Sequence, residues 1–99
     1  MTLDLTKAAI EDLRGIGDYT ARIWGERQRV TYLENLWAKF QRILEAPELC
    51  RRRDDLFSGC RIAAEGKHVI LFRVEGEILQ IVRVLHSAMD FRRHVPPDQ

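Results

Sequence analysis

The sequence has little of what marks specialised chains. Its 99 residues hold two cysteines, Cys50 and Cys60, too few for a disulfide scaffold and at a spacing that fits no zinc signature. Free thiols in a reducing compartment are the expectation, with a Cys50–Cys60 disulfide as the alternative. No apolar run approaches the ~20 residues that a membrane span needs. The N-terminus lacks a charged region followed by an apolar one, so no signal peptide is read there. Net charge is only +1, which removes global electrostatics as an argument for nucleic-acid binding; any such role must come from local clusters. No repeat, low-complexity tract or linker appears, and no cofactor or metal motif. A cytoplasmic protein is expected.

What is present is an ordinary globular composition, 45% hydrophobic and 31% charged, which argues against disorder. A chain of this length makes one domain with little stability to spare. We place that domain at 1–95, followed by a tail at 96–99.

Thr2-Leu3-Asp4-Leu5 alternates polar and apolar residues and predicts a short strand. Thr6 is a helix cap. Ala9, Leu13, Ile16 and Trp24 then follow helical spacing, with Gly15 and Gly17 marking a bend or a close contact. Gly25 is a stop signal. A second helix is predicted from about Glu26 to Ala46, with Val30, Leu33, Trp37, Phe40 and Leu44 as its apolar stripe. Pro47 ends it. The short junction makes the two helices an antiparallel hairpin. Residues 48–59 read as a polar loop. Three strand-like runs follow, Cys60–Glu65, His68–Val74 and Glu77–Leu85, joined by the turns Gly66-Lys67 and Glu75-Gly76. The last two are apolar on both faces, so the sheet is covered twice. The helix hairpin covers one side, and a bound partner is a candidate for the other. The expected fold is α+β, β-α-α-β-β-β, an antiparallel sheet with an N-terminal helix hairpin packed on one face.

In this order the residues resemble the ParE branch of the RelE/ParE toxin superfamily. The matching pieces are Leu5-Thr6 with Ala8, Ala9 and Asp12-Leu13; Ile16-Gly-Asp-Tyr19; Trp24-Gly25; Tyr32 and Leu36; Pro47; Gly59-Cys-Arg61; Gly66-Lys-His68-Val-Ile70; Phe72-Arg73-Val74; and Ile81-Val-Arg-Val-Leu-His86 with Met89-Asp90. Cys50, Cys60 and Phe72 depart from the usual pattern. The resemblance implies a toxin of a type II toxin–antitoxin system. It would be neutralised by a ParD-like antitoxin, a ribbon-helix-helix protein with a C-terminal toxin-binding segment. It would inhibit DNA gyrase without being an enzyme, and exist as a hetero-oligomer with its antitoxin, with no sequence-specific nucleic-acid binding of its own.

The residues assigned to antitoxin binding are Tyr19, Trp24, Tyr32, Arg61, Ile70, Phe72 and Arg83. Those assigned to the target are Arg83, His86, Arg92, Arg93 and His94. Strict alternation puts Arg83 in the apolar row Leu79, Ile81, Leu85, where a charge needs a partner. That partner is either another protein or a carboxylate of the chain such as Asp90 or Glu75. His86 is an acid/base candidate or simply a hydrogen-bonding residue. Arg92-Arg93-His94 and Arg51–Arg53 are basic clusters, the second offset by Asp54 and Asp55. Trp37 and Phe40 are expected in the core. Tyr19, Trp24 and Tyr32 are either anchors for an amphipathic antitoxin helix or helix–helix packing.

Two other functions fit the fold. A ribosome-dependent mRNA endonuclease would need a base, an acid and cations, for which Glu65, Arg61, Arg73 and His86 are the available set. An inactive homologue would act only as an antitoxin-binding partner.

Overall fold

The computed structural model describes residues 1–96. Most of the expected 96–99 tail therefore lies outside the described residues. The elements are β1 (Thr2–Leu5), α1 (Lys7–Trp24), α2 (Glu26–Glu45), β2 (Arg51–Arg52), β3 (Arg61–Glu65), β4 (His68–Glu75) and β5 (Ile78–His86). They form one five-stranded sheet in the order β1-β5-β4-β3-β2. The expected β-α-α-β-β-β order is present, with two additions. The N-terminal strand β1 pairs in parallel with β5, so the sheet is mixed. The two-residue strand β2 lies within the stretch read as loop and pairs with β3. Its arginines are exposed on an edge, so no apolar period announces it.

Thr6 makes the exit from the sheet. Its hydroxyl accepts from the Ala9 N–H at 3.0 Å, capping α1, and donates to the Val82 carbonyl at 2.7 Å. Gly25 is the single residue between α1 and α2. Midway along the hairpin the helices close up at Gly17, where an added Cβ would stand 3.1 Å from Arg29 Nε and 3.3 Å from Leu33 Cδ1. The close contact expected near Gly15 and Gly17 is thus at Gly17.

Two apolar layers sandwich the sheet. On the helix side Ala9, Ile16, Leu36, Phe40 and Ile43 pack on Ile70, Phe72, Leu79, Ile81 and Val84. On the opposite side Leu71, Val82 and Leu85 pack under Leu56, Phe57 and Cys60, with Phe91 and Val95 at the margin. The second face is therefore covered by the chain's own 54–60 loop and C-terminal segment, not left for a partner.

Two details of the apolar pattern differ from expectation. The ladder pairs Phe72 with Ile81 but Leu71 with Arg83, so Val82 is an extra residue in β5. This bulge breaks the row that would have held Leu79, Ile81, Arg83 and Leu85 together. Val84 instead follows Ile81 on the helix side, and Leu85 joins the other face. On α2 the buried residues are Leu36, Phe40 and Ile43. Trp37 is 45% exposed and Val30 46% exposed. The packed face is turned about one residue from the predicted stripe, and Trp37 meets Phe40 only edge-on, with centroids 5.3 Å apart.

Cys60 is buried in the layer opposite the helices, whereas Cys50 packs against the helix-side core. Lying against opposite faces of the sheet, both are free thiols. Burial pushes the Cys60 thiol up to about 12.

Candidate functional site

The site begins where β1 stops. Leu5 pairs with Ile81, but β5 runs on to His86, so the last residues of β5, paired with β4 on one side, have no strand on the β1 side. Asp12 of α1 fills the first gap. Its Oδ2 accepts the outward Val84 N–H at 2.9 Å. The same carboxylate takes Arg83 in a bidentate pair, Nε to Oδ2 at 2.7 Å and Nη2 to Oδ1 at 2.8 Å. Arg83 Nη1 donates to the His94 carbonyl at 2.6 Å. One guanidinium thus joins helix, strand and C-terminal segment, and Asp12 raises its pKa further above the ordinary arginine value.

Beyond Asp12 a groove of about 950 Å³ opens between α1 and the end of β5. Ile16, Tyr19, Trp24, Val84, Leu85 and Met89 give it apolar walls. Tyr19 is 56% and Trp24 71% exposed, far more than a packing residue would be. Such aromatics beside an open strand end suit a partner's apolar side chains.

The polar end of the groove is a pair of histidines held by Tyr32. His68 and His86 face each other across β4 and β5, with ring centroids 5.5 Å apart. Tyr32 on α2 reaches over the Gly66-Lys67 turn. Its hydroxyl accepts from the Lys67 N–H at 3.0 Å and lies 2.6 Å from His68 Nδ1. Which of the two atoms donates is set by the tautomer of the His68 ring. This approach requires glycine at position 66, where a Cβ would stand 2.7 Å from the hydroxyl oxygen and φ is +58°. His86 Nδ1 accepts from the Ala88 N–H at 3.1 Å. A neutral His86 ring therefore carries its proton at Nε2. Burial pushes the His68 pKa below its ordinary value, His86 pushes the same way, and Asp12 opposes them.

The residues singled out in the sequence are scattered relative to this site. Tyr19, Trp24, Tyr32 and His86 line the groove. Arg83 borders it through Asp12, which replaces the Asp90 or Glu75 partner expected. Arg61 does not reach it; its Nη1 donates to the Cys50 and Glu48 carbonyls, tying β3 to the turn after α2. Ile70 and Phe72 are fully buried beneath the helices, so they are core rather than contact surface. The basic clusters are largely engaged within the chain. Arg52 pairs with Asp54, Arg53 and Arg92 share Asp55, and Arg93 lies 3.6 Å from Asp90. Arg93 and His94 line a smaller hollow of about 480 Å³ on the far side of Arg83.

Asp12 and His68 belong to the site, although in the sequence they matched only as parts of the family pattern and neither was assigned a role. Asp12 could have been found: it sits between Ala9 and Ile16 at helical spacing, where a charge on the flank of a buried stripe needs a partner. His68 follows a turn and carries no comparable signal.

The model of the family described as "ParE toxin of type II toxin-antitoxin system, parDE" matches residues 3–91. The chain belongs to the ParE toxin family. It is 36% identical over 91 residues to Toxin ParE1 of Caulobacter vibrioides, covering 92% of this chain and 94% of that one. It is also 36% identical to Toxin ParE1 of Mycobacterium tuberculosis over 92 residues, with 92% and 94% coverage. Toxin ParE of Escherichia coli is 34% identical over 87 residues, with 87% and 84% coverage. Among solved structures, the chromosomal ParDE system of P. aeruginosa superposes with a TM-score of 0.75 at 22% identity, covering 87% of this chain and 95% of that one. The E. coli RelBE toxin–antitoxin complex gives 0.63 at 19% identity, with 89% and 98% coverage. These likenesses establish the RelE/ParE fold of this ParE-type toxin.

Proposed function

We infer that this toxin is neutralised by a ParD-like antitoxin seated in the groove between α1 and β5, and that its target is DNA gyrase. The observation that carries the antitoxin half is the pairing of an open strand end with the exposed Tyr19 and Trp24 beside it. The structural neighbours are complexes of a toxin with its antitoxin, which supports a hetero-oligomer. The gyrase half rests on family membership. The C-terminal residues Arg92, Arg93 and His94 lie across Arg83 from the groove, where a target could bind separately from the antitoxin. The functional unit is the domain at 1–95, working in the cytoplasm. Among the described residues, no helix is long and apolar enough to cross a membrane.

A non-enzymatic mode of action is favoured by two observations. Glu65 and Arg61 stand at opposite ends of β3, about 13 Å apart at the usual strand rise, and Arg73 and His86 are separated in the same sense along the paired strands. The Nδ1 lone pair of His86 is taken by the Ala88 N–H, so it is not free to act as a general base.

Purified toxin added to gyrase supercoiling reactions, and separately to translating ribosomes with a reporter mRNA, tests the reading. Inhibited supercoiling with intact mRNA is expected, reversed by the antitoxin. Cut mRNA with untouched supercoiling overturns it. Tight antitoxin binding without effect in either assay identifies an inactive homologue.

A further inference from the structure

We propose that His68 and His86 form a carboxylate-binding site, filled by an aspartate or glutamate side chain of the antitoxin segment that occupies the groove. The proposal rests on that groove assignment and adds the chemistry of one contact. Each ring has its Nδ1 committed within the chain, His68 to the Tyr32 hydroxyl and His86 to the Ala88 N–H. Among the described residues neither Nε2 has a partner, and both rings line the groove. The rings belong to directly paired residues, 5.5 Å apart at their centroids. Once protonated, each ring carries an Nε2–H with no acceptor among the described residues, and a carboxylate accepts from both.

The surroundings favour an anion on a peptide. Lys67 adds a cation at the same end of the groove. The charged and titratable groups nearby are Asp12 on α1, already held by Arg83; Glu11 on α1, paired with Arg14; Tyr32 on α2; and Glu65, opposite His68 on β3. The rest of the groove is mainly apolar, with Thr20 and Gln28 as uncharged polar members, which suits side chains of an amphipathic segment more than a phosphate backbone.

Protonation follows from this contact. Placing a carboxylate on the pair favours imidazolium, so binding takes up protons and must tighten as pH falls. The test is calorimetric titration of the full-length toxin with the full-length antitoxin encoded beside it, between pH 8 and pH 6. Affinity should rise about tenfold over that range, the equivalent of one unit of pKa shift. His86→Leu, at an exposed position, should weaken binding about fivefold or more at both pH values. His86→Gln keeps an N–H donor without titrating, so it should retain wild-type affinity at pH 8 and lose much of the slope. Tight binding that is flat with pH and indifferent to His86→Leu overturns the carboxylate site while leaving the groove assignment standing. No binding at any pH removes the groove assignment, and the proposal with it. A labelled single-stranded RNA bound with the same pH slope and the same dependence on His86 also overturns it, because the anion would then be phosphate.

Discussion

Asp12 and Arg83 form an ion pair that ties α1 to the end of β5 beyond β1, with Arg83 Nε 2.7 Å from Asp12 Oδ2. Both side chains are mostly shielded, 13% and 21% exposed. The pair does more than neutralise charge. Asp12 completes the strand edge at Val84, and Arg83 holds the chain at His94. Removing either partner strands the other in a poorly solvated place. Asp12→Ala should cost about 3 kcal/mol in urea unfolding, because it leaves both a guanidinium and a backbone N–H without their acceptor. Arg83→Met should cost less and loosen residues 91–95, seen as faster amide exchange there.

His68 gives stability a pH dependence. His68 has a folded pKa below its unfolded value, so between the two the unfolded chain binds more protons. This contribution is present above pH ~6.5 and is lost as pH falls through the folded value. Thermal unfolding followed from pH 7.5 to pH 5 should show a falling midpoint, with a smaller fall in His68→Gln. A steeper fall in that variant would contradict the assignment.

Tyr32→Phe removes the hydroxyl that joins Lys67 and His68. A loss of about 1 kcal/mol is expected. Urea unfolding of the variant checks this loss.

The two thiols should separate chemically. Cys60 is buried with its pKa pushed to about 12, whereas Cys50 is partly exposed. Since the thiolate is the reacting species, a thiol reagent at pH 8 should label Cys50 in the native protein and Cys60 only after unfolding. Mass spectrometry of the labelled peptides reads the result.

The fold was legible because its signals are local: the Thr6 cap, Gly25, Pro47, the two hairpin turns and the change of period after residue 60. The parallel pairing of β1 with β5 joins the N-terminus to the last strand and has no local signature. The bulge at Val82 was hidden for a related reason, since one extra residue in an apolar run leaves its composition unchanged while moving Val84 and Leu85 to other faces. The rotation of α2 came from Leu36 and Ile43 competing with Trp37 and Val30 for the same side, and spacing alone does not choose between two adjacent stripes. At the site, Trp24 and His86 were visible as residues, but their sharing one groove depends on β1 ending before β5 does. Likewise the arginine-rich segments read as charge, whereas their pairing with Asp54, Asp55 and Asp90 is a matter of three-dimensional placement.

The groove assignment is tested most directly by hydroxyl-radical footprinting of the toxin alone and with its antitoxin. Tyr19, Trp24 and Met89 line the groove, while the half-exposed Trp37 does not and serves as an internal reference. The expected result is loss of oxidation at Tyr19, Trp24 and Met89 with Trp37 unchanged. Unchanged oxidation at Trp24 and Met89, with protection at Trp37 or at Phe91, would contradict an antitoxin seated between α1 and β5.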